Sequence, residues 1–279
     1  MKGKVCLITG ATSGVGKAAA RELAEMGATV IGVGRDRIRC AEVSSEIRYS
    51  SGNPSVEFLV ADLSNQDQVR QLVRDFEARF DRLDVLINNA GAFFLRRKLS
   101  PQGIEMTWAL NHLNYFLLAN LLLEQIKASA PARIVNVASG AHYRGKIHFD
   151  DLNLEKGYNG WKAYCQSKLA NVLFTYELVR RLDDQSVTVN SLTPGFVATR
   201  IGHNTGPVLK YLVSLVQKFG GKTPEEGAET ITYLASSPFV PGITGKFFID
   251  KKAVKSSPIS YDQETAQRLW EISELMTRG

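Results

Sequence analysis

Two kinds of segment alternate along the chain: continuous apolar runs, and stretches in which apolar residues recur with helical periodicity. Continuous apolar runs such as Val85-Leu86-Ile87 are typical of strands buried on both faces of a parallel sheet. These runs predict strands at residues 4–9, 28–33, 56–60, 84–88, 132–138, 187–192 and 246–249. Helical periodicity predicts helices near residues 15–26, 36–50, 66–80, 103–127, 164–182 and 225–236. This strand–helix order predicts an α/β fold with a doubly wound parallel sheet flanked by helices.

Two segments depart from this alternation. Residues 140–163 are rich in Gly, Asp, Asn and aromatic residues and are interpreted as a loop, and residues 196–222 contain an apolar segment flanked by glycines. No repeat, low-complexity tract or linker is present, so a single domain over residues 1–279 is expected. In an open α/β sheet, ligands bind beyond the carboxyl ends of the strands, where both segments are expected to lie.

Composition and charge narrow the functional classes. The net charge of +6 permits nucleic-acid binding, but the basic residues are scattered and the cluster Arg96-Arg97-Lys98 is short, which favours a solvated loop. The three cysteines are unpatterned and no histidine has metal-ligand spacing, so reduced thiols and no metal are expected. The first predicted strand begins at Lys4, which leaves no room for a signal peptide or anchor. A cytoplasmic location and no transmembrane anchor are therefore expected.

A glycine-rich turn follows the first predicted strand, with the sequence Thr9-Gly10-Ala11-Thr12-Ser13-Gly14-Val15-Gly16. A strand, a glycine turn and a helix start in this order can hold the pyrophosphate of a dinucleotide on the helix N-terminus. Gly10 suits the sharp turn, Gly14 a close approach of the phosphates, and Gly16 close packing of helix on strand. The alternative is a turn whose glycines serve the backbone conformation alone.

Tyr164 and Lys168 stand four residues apart and share one face of a predicted helix. A neighbouring ammonium favours the phenolate and is expected to lower the pKa of the tyrosine, which suits proton exchange with a carbonyl or alcohol oxygen. Tyr158 and Lys162 form a second copy of the motif. That copy spans Gly160 and is expected to lie in a loop, so Tyr164 is the preferred candidate.

Three further polar residues are candidates for the same site. Ser139 follows a predicted strand, where it is either a turn serine or a hydroxyl at the carboxyl edge of the sheet. Asn111 lies in an otherwise apolar helix and needs partners, either in the core or at a water-filled site. His112 has no acid–base partner nearby in the sequence and is interpreted as structural.

Together these marks resemble the short-chain dehydrogenase/reductase superfamily over essentially the whole chain. The resemblance implies a Rossmann-type fold, with residues 1–130 mainly binding the dinucleotide and residues 131–279 mainly on the catalytic and substrate side. It also implies a catalytic tetrad of Asn111, Ser139, Tyr164 and Lys168. The implied cofactor-binding residues are Gly10, Thr12, Ser13, Gly14, Val15, Gly16, Arg35, Asp62, Leu63, Asn89, Ala90, Gly91, Tyr164, Lys168, Pro194, Gly195, Val197 and Thr199.

Within that superfamily the chain is similar to the retinol dehydrogenase-like branch. The shared stretches include Asn111-His112-Leu113 and residues 147–152 and 163–171, and the 25-residue interval from Ser139 to Tyr164 also matches. Two features differ. The membrane anchor common in animal members is not expected here, and Thr193 stands before Pro194, where many members carry histidine.

The charge of the side chains at the end of the second predicted strand distinguishes between NAD and NADP(H) as the cofactor. An acidic residue there would bind the ribose 2′-hydroxyl of NAD, but the resemblance places Gly34 at this position and Arg35 after it. A guanidinium is well shaped to bind a 2′-phosphate, which favours NADP(H). Asp36 could favour NAD instead, but it is interpreted as the cap of the next helix.

The predicted function is NADP(H)-dependent interconversion of a carbonyl and an alcohol on a small lipophilic substrate, such as a retinal-like aldehyde or a ketone. The alternatives are a carbon–carbon double-bond reductase of the same superfamily and a non-enzymatic NADP-sensing protein. A homodimer is a further possibility, because the predicted helix 164–182 is apolar on more faces than one sheet covers.

The apolar segment 207–219 is interpreted as a lid over a lipophilic substrate. Glycines at positions 202, 206, 220 and 221 flank it and provide hinge freedom. Such a lid could also contact a membrane surface while open. The alternative is a buried core helix.

Overall fold

In the computed structural model, which describes residues 1–182, 186–197 and 221–278, eight strands form one sheet in the order β3-β2-β1-β4-β5-β6-β7-β8. The strands are β1 (Val5–Thr9), β2 (Thr29–Gly34), β3 (Val56–Val60), β4 (Val85–Asn88), β5 (Ala132–Val137), β6 (Val187–Thr193), β7 (Phe247–Ile249) and β8 (Lys252–Val254). Strands β1 to β7 are parallel, and β8 pairs antiparallel with β7. The strand order reverses between β1 and β4, so a crevice opens where their carboxyl ends diverge.

The described helices alternate with these strands. They are α1 (Gly14–Glu25), α2 (Arg37–Ser51), α3 (Gln66–Glu77), α4 (Met106–Trp108), α5 (Asn114–Leu121), α6 (Leu123–Ala128), α7 (Gly160–Arg181), α8 (Pro224–Ser236) and α9 (Gln263–Thr277). A π-helical turn, Ala109–Leu113, joins α4 to α5. Short 3₁₀ turns cover Gly140–Arg144 and Pro258–Tyr261. The predicted doubly wound α/β fold is therefore confirmed.

Helices cover both faces of the sheet. On one face, Leu23 of α1 packs in the same buried cluster as Ile8 of β1 and Ile231 of α8. On the other, Phe76 of α3 and Phe174 of α7 pack in a cluster that includes strand residues. Because both faces are covered, the strands read as continuous apolar runs in the sequence.

The predicted strands match the observed ones to within one residue at each end, but two helix predictions need correction and two elements were not predicted. The predicted helix 103–127 is divided by the π-helical turn and by a break before α6. The helix predicted at 164–182 begins earlier, at Gly160, where the Asn159 side chain accepts a hydrogen bond from Lys162 N. Strand β8 and helix α9 were not predicted.

Helix α9 covers the outer face of α7. Leu169 and Leu173 of α7 share a buried cluster with Leu269 of α9. The Trp270 ring stacks on Phe174, with centroids 5.8 Å apart and an interplanar angle of 26°. The apolar excess on α7, which suggested a partner subunit, is thus covered within the same chain and no longer argues for a homodimer.

The lid interpretation of segment 207–219 concerns residues outside the described part of the chain and stays a prediction. Among the residues described, no helix is both long and apolar enough to cross a membrane.

Candidate functional site

A cavity of about 800 Å³ lies beyond the carboxyl ends of the parallel strands, at the reversal of strand order. Every described residue that was expected to bind the dinucleotide lines it: Gly10, Thr12, Ser13, Gly14, Val15, Gly16, Arg35, Asp62, Leu63, Asn89, Ala90, Gly91, Tyr164, Lys168, Pro194, Gly195 and Val197. The remaining expected residue, Thr199, lies outside the described residues. Residues far apart in the sequence therefore meet in one crevice.

The glycine-rich turn has the conformation and packing that require glycine. Gly10 and Gly14 have positive φ angles of 68° and 56°. A Cβ atom on Gly10 would lie 2.9 Å from Ala90 Cα, and one on Gly16 would lie 2.3 Å from Asn89 Nδ2. At the N-cap of α1, Ser13 makes no side-chain hydrogen bond to the helix. The first N–H groups of α1 are thus not capped by that side chain and can donate to an anion.

Thr9 and Asn89 join the glycine turn to the loop after β4. The Asn89 Nδ2 donates to Thr9 O at 2.8 Å, and the Thr9 hydroxyl oxygen accepts from Asn89 N at 2.8 Å and Ala90 N at 2.9 Å. From the sequence, Asn89 was assigned to the ligand, and Thr9 was named only as the first residue of the glycine-rich turn, with no role of its own. The position of Thr9 at the end of β1 was the available signal.

The end of β2 presents two arginines to the cavity. Arg35 and Arg39 both line it, and the Arg39 Nε is buried without a hydrogen-bond partner. The Asp36 side chain accepts from Arg39 N at 3.0 Å and caps α2, as expected from the sequence. Arg39, which lies in the first turn of α2, was not predicted.

Asp62 follows β3 and its carboxylate is already engaged. One oxygen accepts from Ser64 N at 3.0 Å and from Ser64 Oγ at 2.7 Å. This geometry fixes the turn after β3 and holds Leu63 at the cavity wall.

Tyr164, Lys168 and Ser139 meet at the carboxyl end of β5, and all three line the cavity. The Lys168 Nζ donates to Val137 O at 3.1 Å and lies 5.7 Å from the Tyr164 ring centroid. Ser139 Oγ accepts from Ala141 N at 3.2 Å, which leaves its own hydrogen free to donate to another oxygen.

Burial controls the protonation of this group. It lowers the pKa of Lys168 to about 7. Burial also raises the pKa of Tyr164, while a hydrogen bond from Ser139 acts in the opposite direction. The expectation that Lys168 lowers the tyrosine pKa is therefore wrong for this arrangement. Desolvation of the phenol is the largest influence on its pKa and outweighs the hydrogen bond from Ser139.

Asn111 lies behind the cavity wall, in the π-helical turn. Its Nδ2 donates to Ala92 O at 3.0 Å and to Ser167 Oγ at 3.1 Å, and its Oδ1 accepts from Ala92 N at 2.8 Å. A Cβ atom on Gly91 would lie 3.2 Å from Asn111 Oδ1 and 3.4 Å from Lys168 Nζ. Asn111 does not itself line the cavity. Its hydrogen bonds connect it to the loop after β4 and to α7, the helix that carries Tyr164 and Lys168.

Tyr158 and His112 were not assigned to the catalytic site from the sequence, and their contacts lie elsewhere in the fold. Tyr158 does not line the cavity, and its hydroxyl donates to Phe94 O at 2.9 Å. His112 is fully buried with its Nε2 3.0 Å from Ser273 Oγ of α9, and burial lowers its pKa to about 3. The contacts of His112 agree with its interpretation as structural. The loop expected for the second motif copy is right for Tyr158 but wrong for Lys162, which lies in α7 because this helix begins at Gly160.

Aromatic and apolar side chains surround Tyr164 on its outer side. The Phe93 ring contacts it edge-on at a centroid distance of 5.9 Å, and the Trp161 ring stacks beside it at 6.1 Å. Trp161 is 49% exposed. Phe94, Met106 and Leu110 add apolar lining to the cavity. None of these residues was predicted, because an apolar side chain does not show from the sequence alone whether it faces a cavity or the core. Phe93 and Phe94 lie in a loop, whereas Trp161, Met106 and Leu110 lie in helical turns.

The amino-acid sequence is similar to those of known oxidoreductases. Residues 4–208 match the model of the short chain dehydrogenase family. The chain is 46% identical to human retinol dehydrogenase 14, with 99% of this chain and 87% of that protein covered. It is 43% identical to human retinol dehydrogenase 12, with 98% and 86% covered.

Solved structures give the same picture. An uncharacterized protein from Mycobacterium paratuberculosis superposes with a TM-score of 0.79 at 32% identity, with 99% of this chain and 94% of that chain covered. A short chain dehydrogenase from Shigella flexneri, complexed with NADP, superposes with a TM-score of 0.70 at 25% identity, with 90% and 98% covered. From the fold, the site and these similarities, the chain belongs to the short-chain dehydrogenase/reductase family, in its retinol dehydrogenase-like branch, and is an oxidoreductase of the class that acts on CH–OH and C=O groups.

Proposed function

We propose that this enzyme uses NADP(H) to interconvert a carbonyl and an alcohol on an apolar substrate, with Tyr164 as general acid and base. One observation carries the proposal: Tyr164, Ser139 and Lys168 line the same cavity as the glycine turn and Arg35. A proton donor and a dinucleotide cradle in one crevice are what hydride transfer to a carbonyl requires.

The choice of NADP(H) rests on the end of β2. Gly34 ends this strand, so no carboxylate stands where NAD-binding proteins hold the ribose 2′-hydroxyl. Arg35 and the unpartnered Nε of Arg39 supply donors for a 2′-phosphate. Asp36 also lines the cavity, but one of its carboxylate oxygens accepts from Arg39 N and caps α2, which weakens the argument for NAD. The NADP described in the Shigella flexneri relative supports the same choice.

When bound, the cofactor supplies a hydride to the carbonyl carbon. Tyr164 donates a proton to the carbonyl oxygen, and its raised pKa keeps this proton in place at neutral pH, which suits the reducing direction. Ser139 donates a hydrogen bond to the same oxygen, because its hydroxyl accepts from Ala141 N with one lone pair and keeps its hydrogen available.

Lys168 and Asn111 support these two groups. Lys168 is anchored on Val137 O beneath the tyrosine and can hold a ribose hydroxyl through its other protons. Asn111 fixes the loop Gly91–Ala92 against α7 through its three hydrogen bonds. Asn111 therefore acts as a positioning residue in this proposal.

The substrate class follows from the surroundings of Tyr164. Phe93 and Trp161 contact its ring, and Phe94, Met106 and Leu110 line the cavity. Such a surface favours a lipophilic aldehyde or ketone, since apolar contact there is gained without desolvating charge. The names of the retinol dehydrogenase relatives make retinal the first aldehyde to test.

The test measures NADPH and NADH oxidation by the purified full chain with retinal, a saturated long-chain aldehyde and an α,β-unsaturated aldehyde. We expect turnover with NADPH in preference to NADH, and an allylic alcohol from the unsaturated aldehyde. A saturated aldehyde as the product would identify the carbon–carbon double-bond reductase instead. NADPH binding without oxidation by any carbonyl would contradict the proposal.

A further inference from the structure

The turn that carries Ser139 is held on two sides by partly buried hydrogen bonds. On one side, Gly140 N donates to the hydroxyl oxygen of Thr193 at 3.2 Å. On the other, the Ser139 carbonyl oxygen lies 2.7 Å from His142 Nδ1 and accepts from His142 N at 3.1 Å. The peptide that follows Ser139 is therefore fixed at both its nitrogen and its oxygen.

The contacts of His142 determine which of its ring nitrogens carries the proton. Ser257 N lies 3.1 Å from His142 Nε2, and a backbone N–H can only donate, so Nε2 is the acceptor. The Ser139 carbonyl can only accept, so Nδ1 carries the hydrogen and donates it. Both contacts are satisfied by one species, the neutral ring protonated at Nδ1.

The environment of His142 favours this neutral species. The residue is fully buried, and its ring lies against Tyr143 and Phe247, at centroid distances of 4.0 Å and 4.5 Å. Burial lowers the pKa of His142. A packed ring with a hydrogen bond at each nitrogen has little freedom to rotate. It therefore restrains its two partners, Ser139 O and Ser257 N.

Through the same ring, Ser139 is connected to the segment between β8 and α9. Ser257, which donates to His142 Nε2, belongs to that segment. The neighbouring Tyr143 hydroxyl donates to Lys255 O at 2.6 Å. His142 and Tyr143 thus bind the segment 255–257 through these two hydrogen bonds, next to the turn of Ser139.

From this geometry we infer that His142 is a positioning residue, which as the neutral Nδ1–H species holds the backbone of Ser139 and so aims the serine hydroxyl at the reacting oxygen. The inference rests on the proposed function, because it concerns how Ser139 performs its part. It assigns no contact with substrate or cofactor to His142, which does not line the cavity.

The test compares two substitutions that each keep one half of the histidine. In His142→Asn the amide nitrogen can replace Nδ1 as donor to Ser139 O, and in His142→Gln the amide oxygen can replace Nε2 as acceptor from Ser257 N. We expect His142→Gln to lower kcat about 10- to 100-fold with KM and NADPH affinity within about threefold, because a displaced serine impairs the reacting geometry and not binding. His142→Asn should retain kcat within about threefold of the native enzyme.

Two further measurements separate positioning from general stabilisation. Placed in a Ser139→Ala background, His142→Gln should lower kcat no further, since residues that act through one another are not additive. Imidazole ¹⁵N NMR of the native enzyme should show a neutral His142 ring protonated at Nδ1, and this holds even if a variant fails to fold. Equal kcat losses in the Asn and Gln variants, additive losses with Ser139→Ala, or a proton on Nε2 would each overturn the inference. Absence of turnover in the native enzyme would contradict the proposed function instead.

Discussion

The hydroxyl of Tyr158 donates a hydrogen bond to the backbone oxygen of Phe94 at 2.9 Å. The same hydroxyl lies 3.2 Å from a carboxylate oxygen of the buried Glu105, and burial raises the pKa of Tyr158 to about 12. Tyr158 therefore joins the loop after β4 to the start of α4. Tyr164, by contrast, lines the cavity beside Ser139 and Lys168.

These different contacts predict opposite results for the two tyrosines. Tyr164→Phe removes the proposed proton donor and should lower kcat by at least about 10²-fold with NADPH affinity retained. Tyr158→Phe is the matched control, which should keep kcat near the native value and lose about 1–3 kcal/mol of unfolding free energy with its partly buried hydrogen bond to Phe94 O. Steady-state kinetics and urea unfolding measure both. If Tyr158→Phe lost as much kcat as Tyr164→Phe, the assignment of the acid would be wrong.

The arginines at the end of β2 predict a selective loss of NADPH binding. Arg35→Ala should weaken NADPH binding by about one to two decades, because a charge-assisted bond to phosphate contributes roughly 1.5–3 kcal/mol. Arg39→Ala should act in the same direction. Arg37→Ala is the control, since Arg37 lies on α2 but does not line the cavity. Titration with both cofactors decides the matter, and equal losses for NADH and NADPH would contradict NADP specificity.

The buried Lys168 predicts a pH dependence of the stability of the enzyme without cofactor. Burial lowers its pKa in the folded state to about 7 from 10.5. Between these values the unfolded chain binds more protons than the folded one, so the unfolding free energy rises with pH, by up to about 1.4 kcal/mol per pH unit. Lys168→Met should flatten this rise between about pH 7 and pH 8.5. Urea unfolding of both proteins across that range measures the effect, and identical slopes would refute it.

The aromatic contacts of Tyr164 predict a change in substrate range. Trp161→Ala removes a half-exposed ring beside Tyr164 and should raise KM for long apolar aldehydes, while KM for short aldehydes stays close to native. Tyr49→Ala is a suitable control because Tyr49 is 92% exposed and lies on α2, outside the cavity lining. A chain-length series of aldehydes provides the readout. Unchanged KM values for the long members would exclude Trp161 from the substrate site.

Sequence patterns predicted the sheet and the dinucleotide-side lining of the cavity well because both depend on local signals. Buried parallel strands appear as apolar runs, and the glycine turn at Gly10–Gly16 is recognisable directly after the first strand. Strand β8 escaped prediction because its three residues are all exposed and show no apolar run. Helix α9 did carry a signal, with Asp262 as N-cap and Leu269, Trp270 and Ser273 on its buried face.

Other features depend on tertiary contacts that no local pattern encodes. The π-helical turn at Asn111 arises where the side chain bridges Ala92 and Ser167, which are distant in sequence. The lowered pKa of Lys168 and the raised pKa of Tyr164 come from burial in the finished cavity. The spacing of Tyr164 and Lys168 gave their proximity correctly but not the balance of charge and desolvation between them.

The position of α9 has a consequence for how the enzyme folds. This helix shields Leu169 and Leu173 of α7, and at its far end Met276 O accepts a hydrogen bond from Gln66 Nε2 at 2.8 Å, a contact that spans 210 residues. Contacts between segments so far apart in the sequence slow folding, because the entropic cost of bringing the segments together comes before the stabilisation by their contacts. During synthesis, we expect the outer face of α7 to remain exposed until residues 263–277 have left the ribosome, and this is the interval in which the nascent chain depends most on chaperones.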